Sequence, residues 1–163
     1  MAKGKNSSKK ANKPPTFFNR KAKHDYDIVE TLEVGIVLEG TEVKALRDGD
    51  CSITEGYVLV KDEPPALTLH GVMIGPYPPA GALQHVPTRH RQLIAHKREI
   101  RKLARDVDQK GVTVVPLKLY FKGSFAKLQI GVAKGRQHQD KRRAIAERQV
   151  KRDLDRAMSK FRG

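Results

Sequence analysis

Hydrophobic positions in this chain recur mainly at every second residue. Tyr26, Ile28, Leu32 and Val34 stand among Asp27, Glu30 and Glu33, the alternation of a strand with one buried face. Gly35 predicts a bulge or sharp bend before Ile36-Val37-Leu38 continue the strand. The spacing changes at Thr41–Arg47, where Val43 and Leu46 lie three apart between Gly40 and Gly49; this predicts a helix of about two turns stopped by Gly49. Strand patterns return in 57–60 and 66–74, separated by the turn-prone Lys61-Asp-Glu-Pro-Pro. Residues 75–87 hold four prolines and predict a loop, since proline donates to neither a ladder nor a helix. Leu93, Ile94, Ile100, Leu103, Ala104 and Val107 fit helical spacing, and Leu93-Ile-Ala fits equally a short strand that leads into a helix over 97–108. Two last strands, 113–121 and 125–132, read as a hairpin, with Pro116 at an edge or bulged position.

Strands of this length with two short helices in the central part of the chain predict a mainly β fold: an oligonucleotide-binding-type (OB-type) antiparallel β-barrel with two or three short helices. Three regions are predicted: a disordered basic arm over 1–16, the barrel over 17–135 and a basic C-terminal tail over 136–163. The barrel assignment leans on charge as well as pattern. Of 163 residues, 33 are Lys or Arg and 18 Asp or Glu, a net charge of +15. Residues 1–23 hold eight basic and no acidic residues; residues 134–163 hold eleven basic and four acidic. The two ends therefore carry the whole excess. Between them 24–85 is acidic, with eleven carboxylates to three cations, and 86–133 is basic, with eleven cations to three carboxylates. This predicts a neutral body with an acidic and a basic half, between two cationic arms suited to a polyanion.

Other classes find little support. Cys51 is the only cysteine, which leaves no intramolecular disulfide and no multi-cysteine zinc site. The first 23 residues contain no apolar run of a secretory signal, and the longest uncharged stretch, 64–88, contains six prolines, unlike a membrane helix. A cytoplasmic protein without membrane contact is expected. His85, His90 and His96 lie close in sequence to one another and could, with a carboxylate such as Glu30, Glu33, Glu39 or Glu42, serve an RNA-processing enzyme. However, no HxH or HExxH spacing, phosphate-binding glycine loop or nucleophile elbow occurs. A general single-strand RNA-binding protein is the other alternative; 6% aromatic content and no Trp supply few stacking platforms for it. The expectation is a non-enzyme without cofactor or metal.

The strongest nucleic-acid signals lie near the C-terminus. In Lys134-Gly-Arg136 a glycine between two cations allows close approach to a sugar-phosphate chain. Further on, Arg148, Arg152 and Arg156 recur at four-residue spacing, and Val150, Leu154 and Met158 recur on the nearly opposite face. Such a helix has one polyanion-binding side and one apolar side. In isolation nothing local buries the apolar side, so the tail is expected to be disordered when free and helical on contact with RNA.

Five stretches taken together, NRKAKHDYDI from Asn19, LEVGIVLEGTEVKALRDG from Leu32, PTRHRQLIAHKREIRKL from Pro87, KGVTVVPLKLYFKG from Lys110 and AKGRQHQDKR from Ala133, closely resemble the small protein B (SmpB, SsrA-binding protein) family of bacteria. The resemblance runs in order from Asn19 to about Arg148. It implies an OB-type barrel and binding of transfer-messenger RNA (tmRNA, SsrA RNA), required for stable association of that RNA with stalled ribosomes and their rescue by trans-translation. By positional match, Asn19, Glu33, Ile94, Lys127, Lys134, Gly135 and Arg136 are implied to bind the tRNA-like domain of the RNA. The tail, from His138, Gln139, Asp140, Lys141 and Arg142 through Arg148, Arg152 and Arg156, is implied to occupy the decoding centre and empty mRNA channel beside small-subunit rRNA. Many family members have an aromatic residue or histidine directly before Asp-Lys-Arg; here Gln139 stands there, with His138 one residue earlier. The implied partners are tmRNA, the ribosome and, indirectly, the elongation factor EF-Tu carrying alanyl-tmRNA.

Overall fold

Alternating apolar residues close the chain into a ring of antiparallel strands. The computed structural model describes residues 13–136 and 138–161. In chain order these form β1 (Phe17–Phe18), α1 (Arg20–Asp25), β2 (Tyr26–Ile36), α2 (Gly40–Asp48), β3 (Cys51–Ser52), β4 (Tyr57–Lys61), β5 (Ala66–His70), β6 (Met73–Ile74), β7 (Arg91–Ile94), α3 (Lys97–Val107), β8 (Val112–Lys122), β9 (Phe125–Gly135) and α4 (His138–Phe161). Around the ring the order is β8-β4-β5-β7-β2-β9, and β9 pairs back onto β8; β1 extends the β4 side of β8, and β3 pairs with β6 apart from the ring. Closure is partial, because β4 meets β8 at the single pair Val58–Val114. Most of the predicted arm, residues 1–12, lies outside the described residues.

Inward positions of neighbouring strands meet in register. Leu67, Leu93 and Ile36 align across β5, β7 and β2, and Leu119, Leu128 and Val34 align across β8, β9 and β2. All six are buried, and α3 packs Ile100 and Leu103 into the same core. The amphipathic spacing of α3 thus covers apolar barrel surface that would otherwise face water.

Two bulges give the barrel a second apolar patch. A bulge between Ile28 and Glu30 in β2 places Ile28 on the outer side, while Leu32 and Val34 go inward. A second, between Pro116 and Lys118 in β8, leaves Val115 and Leu117 outside and returns Leu119 to the core. Ala22 of α1 covers the outward residues with Ala133. Gly131 lies beneath them: a Cβ there would stand 2.8 Å from Leu117 Cδ1 and 3.1 Å from Ile28 Cγ2. Pro116 thus flanks a bulge, which falls at Leu117. Gly35, in contrast, pairs regularly with both Ile94 and Lys127; the bulge of β2 falls at Val29 instead.

Helix α2 ends as its sequence predicts, on Gly49 at φ 90°. It is fastened by charge. Glu42 is fully buried and accepts bonds from Arg91 Nε (2.8 Å), Arg89 Nε (3.0 Å), Arg89 Nη2 (2.7 Å) and the Glu39 backbone N–H (2.8 Å). Arg91, also fully buried, donates to the carbonyls of Val72, Arg89 and Pro87 at 2.9 Å each. Burial raises the pKa of Glu42, but the bonds from Arg89 and the Glu39 backbone, with the Arg91 charge, outweigh it, and the net shift is downward.

The acidic and basic sequence halves do not form two spatial halves. Each of the ion pairs Lys102–Glu30, Arg101–Glu63, Lys122–Glu33, Arg89–Glu42, Arg91–Glu42 and Arg136–Asp27 joins a carboxylate of 24–85 to a cation beyond 86. The segregation along the chain becomes pairing across it.

Replacing Glu42 by Gln leaves the buried Arg91 guanidinium without its carboxylate, and Arg89 with Glu39 alone at 3.4 Å, and is expected to destabilise the barrel by about 3–5 kcal/mol in denaturant unfolding. Because the folded pKa of Glu42 is lowered, its contribution is present above its unfolded pKa and lost as pH falls through the folded value. The stability gap between wild type and Glu42→Gln should therefore narrow on acidification, as measured by unfolding midpoints across a pH series.

Candidate nucleic-acid interface

The seven implied barrel residues fall in three places. Glu33, Ile94 and Lys127 line one open groove of about 450 Å³ with Gly35, His96 and Phe125. Strand register brings them there: Gly35 pairs with Ile94 on one side and with Lys127 on the other, and Glu33 lies two residues back along β2. Gly35 keeps the floor low, since an added Cβ would already touch Ile94 Cβ at 3.4 Å. Ile94 and Phe125 are 61% and 73% exposed, a large apolar area to leave in water beside a lysine.

Glu33 is held as an anion within this groove. Tyr120 donates its hydroxyl to Glu33 Oε2, and Lys122 Nζ lies 3.9 Å from Oε1. The Tyr120 bond, helped by the Lys122 and Lys127 charges, lowers the Glu33 pKa against partial desolvation. Desolvation and the Glu33 contact push the Tyr120 phenol up to about 12. Lys118 Nζ stands 4.8 Å from the Tyr120 ring centroid and 5.6 Å from that of Phe18. Along this side of the barrel, a carboxylate able to accept hydrogen bonds is therefore surrounded by cations and rings.

Lys134, Gly135 and Arg136 form the second place, the far end of β9. Lys134 pairs with Asp27 and Gly135 with Tyr26 at the start of β2. Arg136 donates from Nε to Asp27 Oδ1 at 2.7 Å and from its backbone N–H to Asp25 O at 3.2 Å. A Cβ on Gly135 would meet nothing within 4 Å, so this stretch of backbone is open to a ligand.

Asn19 is elsewhere and is almost fully buried. Its side-chain amide donates to Pro116 O (2.9 Å), Ile53 O (3.2 Å) and Thr54 O (3.4 Å), and its Oδ1 accepts from Ala22 N at 2.9 Å as the N-cap of α1. It caps α1, which leads into Tyr26 and Asp27 beside the end of β9, and it lines a cleft with Lys21, Tyr26 and Thr54.

In the tail, Arg142, Arg148, Arg152 and Arg156 are exposed on α4, and so are Val150, Leu154 and Met158, at 67%, 59% and 56%. The side chains of His138, Gln139, Asp140 and Lys141 lie outside the described residues.

The histidines do not converge on one site. His85 is buried, with Nδ1 2.8 Å from Thr41 Oγ1 and Nε2 3.1 Å from Ile74 O. His96 precedes α3, where its backbone N–H donates to Glu99, and His90 lies tilted against His70. Burial pushes the Cys51 thiol up to about 12, which keeps it protonated at neutral pH. Among the described residues no group of three or more His, Cys, Asp or Glu is placed to hold a metal ion, and no helix is long and apolar enough to cross a membrane. Sequence reasoning missed Phe125, which lines the groove, and Tyr120, which bonds Glu33. Their signal was present: both sit on outward positions of the predicted hairpin, where a large ring has no core to fill.

A partly closed antiparallel barrel with a cation-bordered groove, an open Lys-Gly-Arg strand end and a basic helical tail defines an RNA-binding protein of the OB-type class. Comparison with known proteins gives the family. A family profile described as "SmpB protein" matches residues 16–160. The SsrA-binding protein of Parasynechococcus marenigrum is 47% identical over 144 residues, covering 88% of this chain and 86% of that protein. The SsrA-binding protein of Anaeromyxobacter dehalogenans is 44% identical over the same length, with 88% and 87% covered. A solved chain described as "tmRNA-SmpB: a journey to the center of the bacterial ribosome" superposes with a TM-score of 0.65 at 42% identity, covering 80% of this chain and 94% of that one. The chain belongs to the SmpB family.

Tyr120→Phe removes the hydroxyl that lowers the Glu33 pKa. The Glu33 pKa is expected to rise toward the ordinary carboxylate value, read from its side-chain carboxyl carbon in an NMR pH titration. An unchanged value would leave the Tyr120 bond without electrostatic effect.

Proposed function

We propose that the barrel of this chain binds transfer-messenger RNA and that the chain is required for stable association of that RNA with stalled ribosomes, which are then rescued by trans-translation. The observation that carries this reading is the 42% identical, TM-score 0.65 match to a chain from tmRNA-SmpB work on the bacterial ribosome, in a family whose curated members are called SsrA-binding proteins. The protein acts as a cytoplasmic adaptor with no chemistry of its own, and EF-Tu joins indirectly through the alanyl-tmRNA it carries.

Local features support a division of labour. The barrel, over 17–135, takes the tRNA-like domain. Lys127 and Lys134 neutralise phosphates, Ile94 offers an apolar contact, and Glu33 accepts hydrogen bonds from base or ribose donors. Gly135 admits the backbone closely, Arg136 adds a cation held by Asp27, and Asn19 acts indirectly by fixing α1. The tail, over 136–163, takes the decoding centre and empty mRNA channel, with Arg142, Arg148, Arg152 and Arg156 toward rRNA phosphates. Either His138 or Gln139 meets an rRNA base, and Asp140-Lys141 follow it. Supporting this is the separation of arginine and apolar faces on α4, each of them exposed. The tail is disordered when free and takes up its helix in the channel, and the arm over 1–16 adds a general attraction to RNA.

Truncation after Arg136 is expected to leave tmRNA binding within a few-fold in a gel-shift titration and to abolish peptide tagging on stalled ribosomes. Tagging by the truncated protein would remove the tail from the mechanism. If about six phosphates are neutralised, tmRNA affinity should fall on the order of a thousandfold between about 50 and 200 mM salt; a flat response would contradict the phosphate contacts.

A further inference from the structure

Tyr57, His70 and His90 form a ladder of three rings on the outer face of β4, β5 and the entry to β7. Tyr57 and His70 are cross-strand partners, with ring centroids 5.3 Å apart and planes 14° from parallel. His70 and His90 follow at 3.9 Å and 39°. Tyr57 is 44% exposed, His90 is exposed and His70 half-buried, so the ladder lies open to solvent. Leu59, two residues along β4 from Tyr57, is exposed as well. None of the three rings fills the core, and the two histidines hold no carboxylate among the described contacts. Desolvation, and then the adjacent His90, lower the pKa of His70, which favours its neutral form.

The ladder is continuous with both RNA-facing places described above. Along β7 outward and inward residues alternate: Arg91 and Leu93 are buried, whereas His90, Gln92 and Ile94 are exposed. One face therefore runs from the ladder to the Ile94 groove, over four residues or about 13 Å. In the other direction Tyr57 lines a cleft of about 200 Å³ with Lys21, Thr54 and Tyr26. Tyr26 is the strand partner of Gly135. The rings thus stand between the two cationic places of one barrel, where a polynucleotide held at both by its phosphates would present its bases.

We propose that Tyr57, His70 and His90 form a base-stacking subsite for an unpaired nucleotide of the transfer-messenger RNA that the barrel binds. The inference rests on the proposed function, since it needs that RNA on the barrel. Stacking on these rings tolerates any base, because every base has a π-face.

The test is a tmRNA gel-shift titration with the full chain and three variants: His90→Ala, which removes only the exposed end of the ladder, His70→Ala/His90→Ala, and His70→Phe/His90→Phe. Base–aromatic stacking predicts that the double alanine variant binds about tenfold more weakly, that His90→Ala lies between it and wild type, and that the phenylalanine pair binds within about twofold of wild type. Circular dichroism and unfolding midpoints show that each variant is folded. If both alanine variants bind like wild type, the subsite is overturned while tmRNA binding by the barrel stands. Loss of binding in the phenylalanine pair as large as in the alanine pair also overturns it, because stacking survives that exchange. Failure of the wild-type chain to shift tmRNA would instead remove the proposed function on which the subsite rests.

Discussion

The pairing of Glu42 with Arg91 inside the barrel constrains much of what lies outside it. An ion removed from water is costly unless its partner and hydrogen bonds are in place, so a buried guanidinium tolerates few alternatives. Arg91 satisfies this by drawing on α2 for its carboxylate and on Val72, Pro87 and Arg89 for carbonyls. These contacts fix which way the first residue of β7 points. Once Arg91 is inward, alternation sends Leu93 into the core and His90, Gln92 and Ile94 outward. The exposed groove and the ring ladder are thus set from within by one ion pair.

The same pairing rule explains what happens to the charge of the body. Carboxylates and cations that lie apart in sequence meet across strands and helices, and the neutral sum is realised locally rather than as two opposed faces. Lys127 stands beside Glu33 in the groove, and Lys134 opposite Asp27 in the β2–β9 register. The unmatched excess stays where the sequence put it, at the ends of the chain, and this separates a moderately charged, shaped surface on the barrel from strongly cationic segments that need little shape to bind a polyanion.

Much of the barrel is legible from periodicity. The hairpin of β8 and β9, the Gly49 stop of α2 and the inward Leu32 and Val34 of β2 follow from local spacing, because each is decided by which face meets the core; at Leu93-Ile-Ala spacing fits strand and helix equally, and pairing with β2 and β5 makes it a strand. Helix α1 was missed, since six residues carry too little periodicity; its one signal was Asn19, a favoured N-cap three residues before the buried Ala22. The bulge of β2 was placed at Gly35 rather than at Val29 because a glycine marks conformational freedom, whereas the actual bulge serves a packing need, sending Ile28 to the α1 patch. Glu42 with Arg91, 49 positions apart, and the three rings of the ladder were invisible for another reason: their contacts depend on strand register, which alternation alone leaves free to slide by two. Of the implied site, the positional match reached residues that register brings together, such as Glu33, Ile94 and Lys127, and also Asn19, whose burial only the folded chain reveals.

Strand β9 joins these surfaces mechanically. It is paired along most of its length on both sides, with β2 from Tyr26 to Gly35 and with β8 from Val112 to Lys122, which leaves its backbone few unpaired groups and little freedom to bend. Lys127 stands in the groove near one end and Lys134 to Gly135 at the other, a separation of seven residues or about 23 Å. Helix α4 begins at His138, three residues past the end of the strand. A strand held on both edges acts as a fixed spacer: an RNA seated in the groove and along the strand end determines where the tail starts. If the tail must enter a channel while the barrel holds its RNA, that fixed distance lets one binding event set where the other begins.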